Sequence, residues 1–277
     1  MIQTSAIVTD NRQVLKELIH RRDLSRPQPR DILGSWIIRM DCPDIAREVQ
    51  PGQYVMVHCG DNTILPRPFS IHKVNKNEIL IFYGVKDGGK GTNWLSQREE
   101  GDEIRLFGPL GNGFEIYPDS RSLLLVAGGT GIAPLYFLSD YGLKNGYRVT
   151  LCIGSSGETK PSGDKNPSQI YPSTLLPAGI QVSTITSSAN GKTGMVTELI
   201  PDYIEKTDQV FACGPVNMYR AMARMPELEN KRVQVSMEIM MGCGRGICYG
   251  CTIETVNGLK KVCEDGPVFD LNDILWD

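Results

Sequence analysis

The stretch SLLLVAGGTGIAPL, residues 122–135, places a run of apolar residues directly before a glycine-rich turn. A short run that is apolar at almost every position is typical of a strand buried on both faces of a sheet. The turn then opens a helix-like stretch that ends at Lys-Asn-Gly, residues 144–146, a pattern that favours a helix C-terminus. Strand, tight turn and helix together predict one unit of a parallel α/β sheet.

The rest of residues 117–235 repeats this alternation. Strands are predicted at YRVTLCIG, GIQVSTIT, DQVFACG and VQVSMEI, and helices at MVTELIPDYIEK and NMYRAMARMPEL. The order predicts a central doubly wound parallel sheet wrapped by helices. Residues 155–177 interrupt it with a polar stretch rich in Ser, Pro and Gly, which we interpret as a surface loop.

Residues 1–116 instead consist of short strand-like runs with turn-rich stretches between them. The β-branched or aromatic runs are DILGSWIIRMDC, GQYVMVHC, EILIFYGV and EIRLFGPL. Their spacing predicts an N-terminal antiparallel β-barrel, interrupted by one helix-like stretch at TNWLSQRE. The chain is therefore predicted to be multi-domain, with a barrel at 1–116, an α/β domain at 117–235 and a small C-terminal segment at 236–277.

Composition narrows the class of protein. The net charge of −3, without a basic run that contains aromatic residues, argues against nucleic-acid binding. No run approaches about 18 apolar residues, so we expect no membrane span, and the N-terminus does not have the pattern of a signal peptide. We therefore expect a cytoplasmic chain whose cysteines stay reduced.

The eight cysteines fall into two groups. Four are scattered and are interpreted as small buried apolar residues: Cys42, Cys59, Cys152 and Cys213. The other four crowd the C-terminus, in MGCGRGICYGC at 241–251 and at position 263. Crowded thiols in a reducing compartment indicate a metal site rather than a disulfide framework.

Cys243, Cys248 and Cys251 have the spacing C-x4-C-x2-C of plant-type [2Fe–2S] ferredoxins, in which a fourth cysteine follows later. The intervening TIETVNGLKKV predicts a β-hairpin with Asn-Gly at its turn, which would bring Cys263 back beside Cys251. The glycines between the cysteines let the backbone wrap closely around a cluster. A structural zinc site also takes four thiolates, but usually as two C-x2–4-C pairs, and zinc or unligated thiols remain as alternatives.

Four other stretches favour a bound nucleotide. Arg67 in RPFSI offers a fixed fork of donors for a pyrophosphate, and Ser70 offers a hydroxyl to a flavin edge. GGKGTNWL, residues 88–95, is a glycine-rich turn that enters a helix. VAGGTGIAPL, residues 126–135, and FACGP, residues 211–215, end parallel strands whose carboxyl ends should line one crevice. RPFSI and GGKGTNWL are weak signals alone. VAGGTGIAPL is a stronger one, although Pro134 stands where a Rossmann fingerprint has its third glycine.

Taken in order, RPFS, GGKGT, GGTGIAP and CGP resemble the ferredoxin–NADP reductase superfamily over roughly residues 5–235. With GPLGNGF at 108–114, MGCGRGICYGC and KVCEDGPVFD, the whole chain resembles the electron transfer subunits of class B dihydroorotate dehydrogenase. In that family the barrel holds FAD and the α/β domain holds the nicotinamide nucleotide.

The resemblance implies a role for individual residues. FAD would contact Arg67, Pro68, Phe69, Ser70, Gly84, Val85, Lys86, Gly91 and Thr92. NAD(H) would contact Gly128, Gly129, Thr130, Gly131, Cys213, Gly214 and Pro215. The [2Fe–2S] cluster would be ligated by Cys243, Cys248, Cys251 and Cys263. No acid–base residue is needed for hydride transfer, so His20, His58 and His72 are interpreted as ordinary.

The resemblance also implies a function in pyrimidine biosynthesis. Such a subunit oxidises NADH at FAD and passes single electrons through the cluster to FMN on a separate catalytic subunit that forms orotate. The implied assembly is a heterotetramer with two copies of each subunit. The family prefers NADH, although CIGSS at the end of the next strand has no acidic residue that would decide between NADH and NADPH.

Two other hypotheses compete. One is the small subunit of an NADH-dependent ferredoxin:NADP oxidoreductase or sulfide dehydrogenase, which shares the architecture. An Asp typically replaces one cluster cysteine there, whereas this chain has cysteine at all four places. The other, from a different class, is a non-catalytic binding module stapled by zinc, which would be colourless.

Overall fold

The computed structural model describes residues 1–16, 32–155, 171–186 and 194–276. Seven strands form the N-terminal sheet: β1 (Ile2–Leu15), β2 (Ile32–Asp41), β3 (Tyr54–Val57), β4 (Arg67–Ser70), β5 (Lys73–Asn75), β6 (Glu78–Lys86) and β7 (Glu103–Leu110). They are antiparallel, in the order β4-β3-β7-β1-β2-β6-β5. Because β4 also lies against β6, the sheet curls into a half-barrel. Two short helices accompany it, α1 (Pro43–Ala46) and α2 (Lys90–Ser96).

The second sheet begins at the stretch that predicted it. Its elements follow in chain order: β8 (Ser122–Gly128), α3 (Ile132–Lys144), β9 (Arg148–Ser155), β10 (Gln181–Thr186), α4 (Pro201–Ile204), β11 (Gln209–Cys213), α5 (Val216–Met222) and β12 (Arg232–Ser236). These five strands are parallel in the order β10-β9-β8-β11-β12. The strand order reverses between β8 and β11, which is where doubly wound sheets bind ligands.

The C-terminal segment returns to both sheets. It contains β13 (Thr252–Thr255), β14 (Gly258–Lys261), α6 (Val262–Asp265) and β15 (Val268–Asp270). β13 and β14 form the hairpin that the Asn-Gly turn predicts, and β15 adds an antiparallel edge to β12. The longest of the described helices, α3, has 13 residues, and none in the described ranges is long and apolar enough to cross a membrane.

The predicted fold class is confirmed. One strand was not predicted, and one predicted helix needs correction. The strand β1 was missed because most of its side chains are half-buried or exposed, so it lacks a clear apolar pattern. The helix predicted at MVTELIPDYIEK is a 3-10 turn over Val196–Leu199 followed by the short α4. Pro201, at the first position of α4, has no N–H to continue a helix through it. Most of the predicted loop at 155–177 lies outside the described residues.

Three hydrophobic cores hold the elements together. One fills the half-barrel, and the other two cover the two faces of the parallel sheet. One of the two cores on the parallel sheet also contains Tyr54 and Phe107 from the half-barrel and Cys251 and Cys263 from the C-terminal segment. The cysteine segment therefore packs against both sheets at once, and burial of apolar surface fixes its position relative to them.

His72, just after β4, links the half-barrel to the parallel sheet. Its Nδ1 lies 2.9 Å from the Ala133 carbonyl oxygen in the first turn of α3, and its Nε2 lies 2.9 Å from the Tyr171 hydroxyl. Because the carbonyl only accepts, Nδ1 donates and Nε2 accepts from Tyr171. The imidazole also stacks on Tyr136 with ring centroids 4.3 Å apart. His72 is thus a neutral, fully bonded residue inside the interface between the sheets.

The burial of His72 predicts a pH dependence of stability. Loss of hydration lowers the pKa of its imidazole to about 3, whereas an unfolded histidine has a pKa of about 6.5. Between those values the unfolded chain takes up a proton that the folded chain refuses. The free energy of unfolding should therefore fall as pH drops from about 6.5 towards 3, by up to about 1.4 kcal/mol per pH unit from this group.

Urea unfolding of the wild type and His72→Gln at several pH values measures this slope. His72→Gln should be less stable at neutral pH and should show a shallower loss on acidification. His58→Gln is the matched control, because His58 is only half-buried. An equal slope in His72→Gln and the wild type would show that His72 is not the group responsible.

Candidate functional site

The predicted flavin stretch 67–70 is the edge strand β4 of the half-barrel. It pairs with β3, so that Ser70 stands opposite Tyr54 and Arg67 opposite Val57. Phe69 is buried and meets the Tyr83 ring edge-on at 5.9 Å between centroids, whereas Arg67, Pro68 and Ser70 stay half-buried. Phe69 therefore belongs to the barrel core, and its three neighbours are available to a ligand.

Two further predicted flavin stretches lie beside Arg67. A Cβ on Gly91, at the start of α2, would stand 3.1 Å from Arg67 Cγ, so the arginine stem crosses that helix turn. Lys86 N–H donates to Thr92 Oγ1 at 3.5 Å, which ties the end of β6 to the same turn. Within the stretch 84–86, Val85 is buried, Gly84 is half-buried and Lys86 is exposed. The structure thus brings all three stretches together.

The two predicted nicotinamide loops meet at the switch between β8 and β11. The position of a Cβ on Gly128 is 2.8 Å from Pro215 Cδ, and a Cβ on Gly131 would collide with the Cys213 carbonyl. Gly128 and Gly131 therefore allow the two loops to pack on each other, besides leaving room for a ligand. Gly128, Gly129 and Thr130 stay half-exposed, so the paired loops present an open edge.

Glu238 lies in this crevice and was missed by the sequence reasoning. Cys213 Sγ donates to Glu238 Oε1 at 3.7 Å, and Lys86 acts on the same carboxylate through its charge. Part of the Glu238 side chain is exposed at the surface of the crevice. The surrounding protein nevertheless removes water from its carboxyl group, which raises the pKa of that group. Its place just beyond β12, at the carboxyl end of a parallel strand, is the signal that could have found it.

Cys213 itself is fully buried. Burial raises the pKa of its thiol well above the ordinary value, so the sulfur is a neutral, unreactive group at the crevice floor. The other three scattered cysteines, Cys42, Cys59 and Cys152, are also buried, as predicted. None of the four has the character of a nucleophile.

The four clustered cysteines meet as two pairs. The Cys243 and Cys248 thiols contact each other, as do those of Cys251 and Cys263. The β13–β14 hairpin makes the second pair, because Val262 N–H donates to the Cys251 carbonyl at 3.0 Å. Cys251 and Cys263 are buried, Cys243 is half-buried and Cys248 is exposed. One side of the group thus faces the protein and the other faces solvent.

This arrangement suits a two-iron cluster better than a single ion. A [2Fe–2S] cluster takes four thiolates divided between two irons, whereas tetrahedral zinc needs all four sulfurs at about 2.3 Å from one point. The clustered thiols pair two and two, Cys243 with Cys248 and Cys251 with Cys263, which is the division that two irons require and fits the iron–sulfur prediction.

Backbone N–H groups already point at these sulfurs. Gly246 donates to Cys263 Sγ at 3.2 Å, Cys263 to Cys251 Sγ at 3.4 Å and Arg245 to Cys243 Sγ at 3.4 Å. Burial alone would raise the pKa of Cys243, but such donors hold it below the ordinary thiol value. The loop therefore favours the thiolate of Cys243, whereas burial and the neighbouring Cys251 thiol raise the pKa of Cys263.

Side chains of the half-barrel pack against the loop that carries the clustered cysteines. Gly244 has a φ of 62°, and a Cβ there would come within 2.6 Å of Met56 Cγ, so only glycine fits between the loop and β3. The Arg245 guanidinium stacks 4.7 Å from the centre of the Phe107 ring. The Tyr54 hydroxyl donates to the Cys263 carbonyl at 3.0 Å. The cysteine loop, residues 241–251, and Cys263 thus rest on β3 and β7, and β3 pairs directly with β4, the strand of the flavin stretch.

Solved structures define the class of protein. The fold matches a structure of the NADH-dependent reduced ferredoxin–NADP oxidoreductase with a TM-score of 0.77 at 22% identity, over 98% of this chain and 90% of that one. It matches the ferredoxin NADP+ reductase of Neisseria gonorrhoeae with bound FAD and NADP at 0.54 and 16% identity, over 79% and 87%. The fold is therefore that of the ferredoxin–NADP reductases.

Sequence relatives narrow the class to one family. The dihydroorotate dehydrogenase B (NAD(+)) electron transfer subunit of Caldanaerobacter subterraneus subsp. tengcongensis is 34% identical over 83% of this chain and 89% of its own. That of Desulforamulus reducens is 32% identical over 88% and 94%. Residues 238–275 match the iron-sulfur cluster binding domain of dihydroorotate dehydrogenase B. The chain belongs to the family of dihydroorotate dehydrogenase B electron transfer subunits, as its motifs predicted.

The thiol pairs make a prediction about metal content. Cys251→Ser should lose the iron and acid-labile sulfide of the anaerobically purified protein, because the buried pair is broken. Cys42→Ser should keep both, since Cys42 is a buried thiol in the half-barrel core, which does not contain the clustered cysteines. Metal and sulfide analysis of the three proteins checks this. Zinc without acid-labile sulfide in the wild type would contradict the iron–sulfur assignment.

Proposed function

We propose that this chain is the electron transfer subunit of a dihydroorotate dehydrogenase B. It would accept hydride from NADH and deliver electrons one at a time to FMN on a separate catalytic subunit that oxidises dihydroorotate to orotate. The observation that carries the proposal is the seating of two thiol pairs on the strands of a flavin-type half-barrel. Family membership over most of the chain supports it.

The residues present fit the cofactors that this function needs. A bound flavin takes two electrons as hydride and releases them singly, and a [2Fe–2S] cluster carries one electron at a time. The half-buried Arg67 side chain would bind the FAD pyrophosphate over the turn at Gly91 and Thr92, and Pro68, Ser70 and Gly84 would line the flavin. Phe69 and Val85 would support it from the barrel core.

The nicotinamide nucleotide would enter the crevice between the paired loops. Residues 128–131 and 213–215 would line it, with their glycines keeping both backbones close. Glu238, which accepts from Cys213 in the nucleotide loops, is also attracted by the charge of Lys86 in the flavin stretch. This would orient the nicotinamide between the two domains without a proton-transferring residue.

Electrons would leave through the solvent-facing side of the cysteine loop. Cys248 is exposed, and several large apolar side chains in its loop and in the neighbouring stretch 64–65 are also exposed: Ile64, Leu65, Met240, Ile247 and Tyr249. Leu65 reaches the loop, since its Cδ1 lies 3.7 Å from a Cβ position on Gly242. Exposed apolar patches of this kind mark protein interfaces, so we propose that this face docks on the catalytic subunit.

The function is tested by separating two activities. Cys248→Ser should keep most of the NADH-dependent reduction of a two-electron dye, because hydride transfer to FAD does not need the cluster. Transfer to the FMN of the catalytic subunit should be lost. Steady-state assays with the dye and with the reconstituted complex check this. An equal loss in both assays would mean that the cluster does not lie downstream of FAD.

The docking face makes a separate prediction. Ile247 is 72% exposed, and Ile247→Glu should weaken the complex with the catalytic subunit at least about tenfold, or about 1.4 kcal/mol, because it places a charge in an apolar interface. Val182→Glu is the matched control, since Val182 is an exposed apolar residue on β10 at the far edge of the parallel sheet.

Native mass spectrometry of the mixed subunits measures the outcome, with iron content checked in each variant. We propose an assembly of two copies of each subunit, in the cytoplasm, and the same spectra report its stoichiometry. If Ile247→Glu assembles as well as Val182→Glu, the docking face lies elsewhere.

A further inference from the structure

Tyr54 connects the flavin stretch to the cysteine loop. Its backbone pairs with Ser70 in the antiparallel register of β3 and β4. Its ring is 3% exposed and lies in the core that also contains Cys251 and Cys263. Its hydroxyl donates to the Cys263 carbonyl oxygen at 3.0 Å. One residue therefore contacts both a strand proposed to line FAD and the last of the proposed iron ligands.

The contact to Cys263 is made where the loop is most constrained. Cys263 N–H donates to Cys251 Sγ, Gly246 N–H donates to Cys263 Sγ, and Val262 N–H donates to the Cys251 carbonyl. These bonds hold the buried thiol pair internally but do not tie it to the half-barrel. The Tyr54 hydroxyl ties Cys263 itself to β3, and Asn112, just beyond β7, donates to the carbonyls of Asp265 and Gly266 in the same segment. These hydrogen bonds set a direction and length that apolar packing alone does not set.

We propose that Tyr54 is a positioning residue for the cluster, which fixes the buried thiol pair at a set distance from the flavin stretch. This inference rests on the proposed function, because it requires both cofactors. The O–H dipole points its positive end toward the ligand loop. Such a donor stabilises the extra negative charge of the reduced cluster, since hydrogen bonds and dipoles near the ligands raise reduction potentials.

Tyr54→Phe is the sharpest test, because it removes the hydroxyl and keeps the ring. The Cys263 carbonyl then loses its donor while the core stays filled. Tyr83→Phe is the matched control: Tyr83 is another buried tyrosine of the half-barrel, and its hydroxyl donates to Asn11 Oδ1 at 3.1 Å. Each variant loses one hydrogen bond of a tyrosine hydroxyl, but only the bond of Tyr54 is made to a residue of the cluster site.

The measurement is a redox titration of the full-length, FAD- and cluster-loaded protein, followed by electron paramagnetic resonance. Tyr54→Phe should shift the cluster midpoint potential to lower values and change the line shape of its reduced signal. Tyr83→Phe should leave both as in the wild type. Tyr54→Leu, which also removes the ring, should in addition lose iron during purification.

Failure of the inference about Tyr54 can be distinguished from failure of the proposed function. If Tyr54→Phe holds its cluster with the potential and line shape of the wild type, Tyr54 is only a core residue and the inference is overturned. If the wild type itself holds no iron–sulfur cluster, the proposed function fails instead. Potential and line shape do not depend on turnover, so a general loss of activity cannot imitate the expected result.

Discussion

The antiparallel pairing of β3 with β4 fixes the relation between all three parts of the candidate site. It sets Tyr54 opposite Ser70, and the chain then continues from β4 to His72. The Tyr54 hydroxyl reaches the Cys263 carbonyl, and the His72 imidazole reaches the Ala133 carbonyl at the start of α3. A register slip of one residue would turn every side chain of the strand to the opposite face and break these contacts. Two four-residue strands therefore hold the flavin stretch, the nicotinamide loops and the cysteine loop in one arrangement.

The cysteine loop has a buried side and a solvent-facing side, an arrangement that suits one-electron transfer through it. Its buried pair, Cys251 and Cys263, faces Tyr54 and the half-barrel, whereas Cys248 is exposed to solvent, as are apolar side chains of the same loop. In the proposed function, electrons enter at the crevice and leave at the apolar face, so the partner needs to cover only the thin loop around Cys248. In the proposed function, the small nucleotide and the second protein would therefore bind at different places on the chain.

Much of this could be predicted from the sequence, because the strongest signals are local. Apolar runs gave the parallel strands, the Asn-Gly turn gave the hairpin, and the cysteine spacing predicted the cluster. Tyr54, His72 and Glu238 were not predicted as special, since each matters through a partner far away in the chain. Nothing beside Tyr54 in sequence marks its contact to Cys263, and His72 gains its role only from the packing of α3 on the half-barrel. Pattern reasoning detects elements and motifs, whereas such long-range contacts depend on how whole sheets dock.

Rapid mixing with NADH under anaerobic conditions, with samples frozen at successive times, tests the central claim most directly. The account predicts that flavin absorbance is lost first and that the reduced-cluster signal follows. In protein stripped of FAD, NADH should leave the cluster oxidised, although a chemical reductant should still reduce it. Reduction of the cluster by NADH at the same rate without FAD would contradict the account, because electrons would then reach the thiol-bound iron without passing the half-barrel.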